Sequence, residues 1–132
     1  MGGAWKSLRA LSLSHCDLSN DALLSLIPCF AACTSLHLLY LSRNFFDPET
    51  VAQLVSESVR VVDLNFNELE SSEIQASMPV GLKSLQSIHL MGNSITCDGV
   101  TAISRILPTH FPLIREISFC RNNVSNRGVE AL

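Results

Sequence analysis

LQSIHLMGNSI, residues 85–95, places Leu85, Ile88 and Leu90 at intervals of three and two, then sets Asn93 and Ile95 behind them. A helix buries residues at intervals of three and four, and a half-buried strand buries every second one, so neither period accounts for the stretch. A structural repeat would, and the same frame recurs. Written L-x-x-L-x-L-x-x-N-x-L, it gives Leu8, Leu11, Leu13, Cys16, Leu18; Leu36, Leu39, Leu41, Asn44, Phe46; and Val59, Val62, Leu64, Asn67, Leu69. A fifth copy reads Ile114, Ile117, Phe119, Asn122, Val124. Starts at 8, 36, 59, 85 and 114 give periods of 28, 23, 26 and 29 residues.

The segments behind the frames also align. LSNDALLSLIP (18–28), FDPETVAQLV (46–55), ITCDGVTAISRIL (95–107) and VSNRGVEAL (124–132) superpose Leu23, Val51, Val100 and Val129, then Leu26, Leu54, Ile103 and Leu132, at helical spacing. Helices are therefore expected near 21–32, 49–57 and 98–107, and strands near 10–14, 38–42, 61–65, 87–91 and 116–120. SSEIQASMPVG (71–81) lacks the helical frame, and 70–81 are expected to be irregular.

This pattern resembles the leucine-rich repeat family, and the Thr96-Cys-Asp-Gly99-Val100 and Ser125-Asn-Arg-Gly128-Val129 starts are similar to its ribonuclease-inhibitor-like subclass. The resemblance implies an α/β fold: a right-handed horseshoe solenoid segment with a five-stranded parallel concave sheet and helices on the convex side. Residues 1–132 then form a single domain of about five repeats. Asn44, Asn67, Asn93 and Asn122 fall where the chain leaves each strand, and their amides can bond backbone groups inside the coil. Cys16 takes that position in the first repeat, where a small buried thiol is expected.

Composition narrows the function. The 132 residues are 47% hydrophobic and only 16% charged, against about 25% charged in an ordinary soluble domain. A net charge of −3 and no evident basic patch speak against a nucleic-acid partner. Apolar runs break well before the ~18 residues of a membrane span. WKSLRALSLSHC lacks the unbroken core of a signal peptide, and Ser7 lies one position late for a myristoylation motif. Five dispersed cysteines do not read as a disulfide framework, which points to a reduced, cytoplasmic compartment such as that of a cytoskeletal or ciliary assembly. Cys29 and Cys33, one helical turn apart, read as packing residues because no second pair has zinc spacing; no metal or cofactor is expected.

Strand residues between the inward apolar positions project from the open face. They include Leu38, Tyr40, Val61, Asp63, His89, Met91 and Glu116, with Arg43, Phe66 and Arg121 one residue beyond the strands. Tyrosine and arginine are common interface anchors, and apolar side chains on an open sheet face call for a partner. Asp63, His89 and Ser118 share a row in the order of a catalytic triad, but an open sheet supplies no oxyanion donors and excludes no water. A surface bond between Asp63 and His89 is the plain expectation, with no catalytic residues. The function expected is a non-catalytic scaffold or adaptor in a larger intracellular assembly that binds protein through the concave face and the uncapped ends. Neither end carries a polar cap, so the chain is expected to be a segment of a longer chain or to be covered by flanking subunits. The alternative from similar repeats is a regulatory protein that activates a GTPase, as some do for Ran, with Arg43 or Arg121 stabilising charge; the acidic tail of that group is absent.

Overall fold

The computed structural model describes residues 2–53, 55–69 and 83–122. The irregular segment expected at 70–81 and the repeat half at 124–132 lie outside them. Five strands, β1 (Ala10–Ser12), β2 (Leu38–Tyr40), β3 (Val61–Asp63), β4 (Ser87–His89) and β5 (Glu116–Ser118), make one open parallel sheet in chain order. The register is unbroken: Leu11, Leu39, Val62, Ile88 and Ile117 are mutual neighbours across it. Each strand is shorter than expected. The parallel hydrogen bonding nevertheless runs on past the strands, with Leu13, Leu41, Leu64 and Leu90 N–H groups donating to the next repeat.

The frame residues face a single core. In the three central repeats Leu36, Leu39, Leu41, Phe46, Val59, Val62, Leu64, Leu69, Leu85, Ile88, Leu90 and Ile95 are buried, while the β1 and β5 counterparts Leu8, Leu11, Leu13, Ile114, Ile117 and Phe119 are half-buried. Central coils have a neighbour on each side; the outermost described coils have one. Leu23, Phe30, Val51, Val100 and Ile103 close the core from the returning segments. Fully burying one such side chain stabilises the fold by roughly 1.5–3 kcal/mol.

The returning segments depart from expectation in length. The helix expected at 21–32 is two short helices, α2 (Asn20–Leu24) and α3 (Ile27–Ala31). Pro28 has no N–H to give the Leu24 carbonyl, so a continuous helix would lose a bond there, and Leu26 instead turns tightly onto Leu23. The helix expected at 49–57 is only α4 (Pro48–Ala52), because its 23-residue repeat is the shortest and leaves little chain for the return. The helix expected at 98–107 runs longer, as α5 (Cys97–His110). Cys97 therefore opens the helix, one residue before the expected start. Before the first frame, Gly2–Ser7 forms a helix, α1, whose Trp5 packs against the core; no periodicity in so short a segment announces it.

The asparagine side chains stitch consecutive repeats. Asn93 Oδ1 accepts from the N–H groups of Asn67 at 2.9 Å and Leu69 at 3.0 Å, and its Nδ2 donates to the Leu64 and Leu90 carbonyls, both at 3.0 Å. Asn44 accepts from Cys16 and Leu18 and donates to Leu13, and Asn67 accepts from Phe46 and donates to Leu41. Asn122 accepts from Ile95 and donates to Leu90. Every amide thus reaches the preceding repeat. Cys16, expected to be buried, is exposed, and its thiol reaches only the Ser14 carbonyl in its own turn.

Asn67→Ala or Asn93→Ala leaves buried backbone groups unpaired and should destabilise the fold by about 1–3 kcal/mol in denaturant melts. Ser12→Ala, on the exposed end of β1, should shift the midpoint far less.

Candidate binding surface

Parallel register turns sequence positions into rows. Ala10, Leu38, Val61, Ser87 and Glu116 are successive neighbours, and so are Ser12, Tyr40, Asp63, His89 and Ser118. Adjacent members stand about 4.8 Å apart. Leu38, Val61, Tyr40 and Asp63 are therefore a contiguous, half-buried group on β2 and β3. Met91 continues the open face beyond β4, where its N–H donates to Asn65 Oδ1 at 2.7 Å.

His89 is not joined to Asp63. Its Nε2 lies 3.3 Å from Glu116 Oε1 in the other row, while Asp63 Oδ1 accepts the Asn65 N–H at 3.0 Å within its own turn. A carboxylate two residues from a free turn amide is satisfied locally, which leaves the imidazole to the exposed glutamate across the strand. The triad order in the sequence thus has no triad contacts behind it.

Beyond each strand the chain enters a left-handed conformation. His15, Arg43, Phe66, Gly92 and Arg121 occupy one column with φ between 55° and 69°. Only glycine adopts this region freely; other residues sacrifice about 1–2 kcal/mol. The asparagine that follows each of Arg43, Phe66, Gly92 and Arg121 holds the bend in place through its amide bonds. In this column Arg43 lies over the Phe66 ring, its guanidinium carbon 4.6 Å from the centroid. A Cβ on Gly92 would overlap that same ring, so arginine, phenylalanine and glycine form one stack across three repeats. Arg121, one repeat further on, is exposed and takes no part in it.

The stack borders a depression lined by His15, Asp17, Arg43, Asn44, Phe45, Phe66 and Glu68. Phe45 is 62% exposed and was missed in the sequence because attention to the frame favours its buried neighbour Phe46. Its signal was available: it falls between two inward positions and must face out. All five cysteines are free. Burial, with Cys29 as a second contribution, pushes the Cys33 thiol above its ordinary value, and it donates to the Cys29 carbonyl at 3.3 Å. Among the described residues no cluster of His, Cys, Asp and Glu could hold a metal ion, and no helix is long and apolar enough to cross a membrane.

An open parallel sheet with stacked frame residues and returning helices defines an α/β repeat fold. Residues 6–26 and 81–104, the first and fourth frames with their flanks, match the family model described as Leucine Rich repeat, which supports a leucine-rich repeat protein. A search of curated proteins finds no match.

Gly92→Ala should destabilise the protein by about 1–2 kcal/mol, since it combines an unfavourable φ with overlap of the Phe66 ring. Combining it with Phe66→Ala should cost less than the two single changes together; additive midpoints in denaturant melts would mean the two residues do not touch.

Proposed function

We propose that the chain is a protein-binding module, a non-catalytic scaffold or adaptor within a larger intracellular, cytoplasmic assembly such as a cytoskeletal or ciliary one. In this reading residues 1–132 are one domain. Its coils wind as a right-handed horseshoe segment of the ribonuclease-inhibitor-like kind, and the sheet is the concave face. Leucine-rich repeat domains generally mediate protein–protein interaction, and two frames match that family. The observation that carries the reading is the contiguous set of Leu38, Val61 and Tyr40 beside the Arg43–Phe66 stack. A rigid sheet holds these side chains in fixed rows, so little order is lost when a partner covers them. Asp63, His89, Met91, Glu116 and Arg121 supply the polar and apolar rim. The five free cysteines suit a reducing compartment.

The test is to identify partners by crosslinking in native extract, then measure binding of the purified partner to alanine variants. Among Tyr40, Arg43, Phe66 and Met91, the best anchor should weaken binding by about 2 kcal/mol or more on truncation, and His89→Ala should have only a modest effect. A purified partner whose affinity is unchanged in all four variants would remove the concave face from the account.

A further inference from the structure

The residue just before each strand forms a row of its own: Arg9, His37, Arg60, Gln86 and Arg115. Hydrogen bonds place these five side by side. The Arg9 carbonyl accepts from His37 N–H at 2.8 Å and Leu38 N–H at 3.0 Å, and the His37 carbonyl accepts likewise from Arg60 and Val61. Arg60 then receives Gln86 and Ser87, and Gln86 receives Arg115 and Glu116. The row is thus a ladder along the strand-start edge of the sheet.

Its charge is concentrated. Arg9, Arg60 and Arg115 are exposed, and so are Lys6 and Lys83, which stand two residues before the frames at Leu8 and Leu85. These are five of the nine Lys and Arg residues in a chain of net charge −3. Among the described residues the His89–Glu116 pair is the sole ion pair, and none of the five cations has a side-chain partner. The other rim is mixed, with Asp17 and Glu68 beside Arg43 and His15. A net charge of −3 leaves room for this local cluster of cations.

We propose that this edge docks an extended acidic polypeptide segment. The proposal deepens the protein-binding reading and rests on it. Arginines on alternate strands lie about 10 Å apart, which one three-residue turn of polyproline II chain spans at about 3.1 Å per residue while returning every third side chain to the same side. An acid at every third position would meet Arg9, Arg60 and Arg115 in turn. A polynucleotide fits less well, because its binding draws on many phosphate contacts and on repeated aromatic stacking, and the row holds a single ring, that of His37. Exposed ion pairs contribute little one by one, so the edge would orient the segment and speed its encounter, while the apolar rows beside it hold the partner.

A fluorescein-labelled nonapeptide with glutamate at every third position and serine between, titrated with the full chain at low salt, tests this by anisotropy. Saturable binding that weakens at least tenfold on raising salt from about 20 to 200 mM is expected. Arg60→Glu should weaken it fivefold or more; Arg105→Glu, the same charge change on the exposed face of α5, should stay within twofold. Arg115→Glu is the second edge variant should Arg60→Glu melt early. The peptide carries no apolar side chain for the rows beside the edge, so failure here is distinct from failure of the concave-face anchors. The proposal is overturned by no saturable binding at low salt, by equal losses in the Arg60 and Arg105 variants, or by a single-stranded oligonucleotide of equal charge binding as tightly.

Discussion

The constraint on which this structure depends is the disposal of backbone hydrogen bonds where each strand ends inside a packed interior. A chain that turns away from a parallel sheet leaves carbonyls and N–H groups without ladder partners, and a buried unpaired group costs about 1–3 kcal/mol. The asparagine amide answers this with an acceptor and two donors on one short side chain. Because Asn44, Asn67, Asn93 and Asn122 each reach into the preceding repeat, the same bonds that satisfy the turn fix one coil on the next. They also hold the left-handed residue before them, where Arg43, Phe66, Gly92 and Arg121 sit. Turn geometry, register and strain are one arrangement.

Register is what converts this into a binding surface. With no slip between strands, every sequence position becomes a row of side chains about 4.8 Å apart, and the chemistry of each row can differ independently of the core. The apolar and tyrosine rows on β2 and β3, the arginine-on-phenylalanine stack beyond them and the basic row before them stand on one scaffold. Gly92 shows how closely the rows interlock, since a single added carbon would displace the Phe66 ring of the preceding repeat.

Much of the fold was legible because burial in a repeat is periodic. The strand positions, their order and the asparagine column follow from a frame repeated five times, and the open-face rows follow from strand alternation. What was not legible lacks a period. Helix α1 is six residues long and precedes the first frame; Pro28 divides a helix whose apolar spacing continues across it; and Cys97 joins α5 because a helix can start earlier than its first buried residue. Side-chain partners were the least readable. Asp63 and His89 are neighbours in register, yet a turn amide and an adjacent glutamate take them, and the choice among near neighbours depends on rotamers that sequence spacing does not encode. Phe45 and the basic edge were overlooked for a different reason: both lie on positions the repeat frame leaves unspecified, so a reading organised by the frame passes over them.

Hydrogen exchange of individual backbone amides tests the central claim most directly. The N–H groups of Phe46, Asn67, Leu69 and Ile95 lie outside every strand and helix, and donate to asparagine Oδ1 atoms of the next repeat. If the amide ladder holds the coils together, these groups should be as protected as the strand amides of Leu39, Val62 and Ile88 and should open with them. Exchange at the rate of solvent-exposed turns, with the strand amides still protected, would show that the sheet and core stand without the ladder.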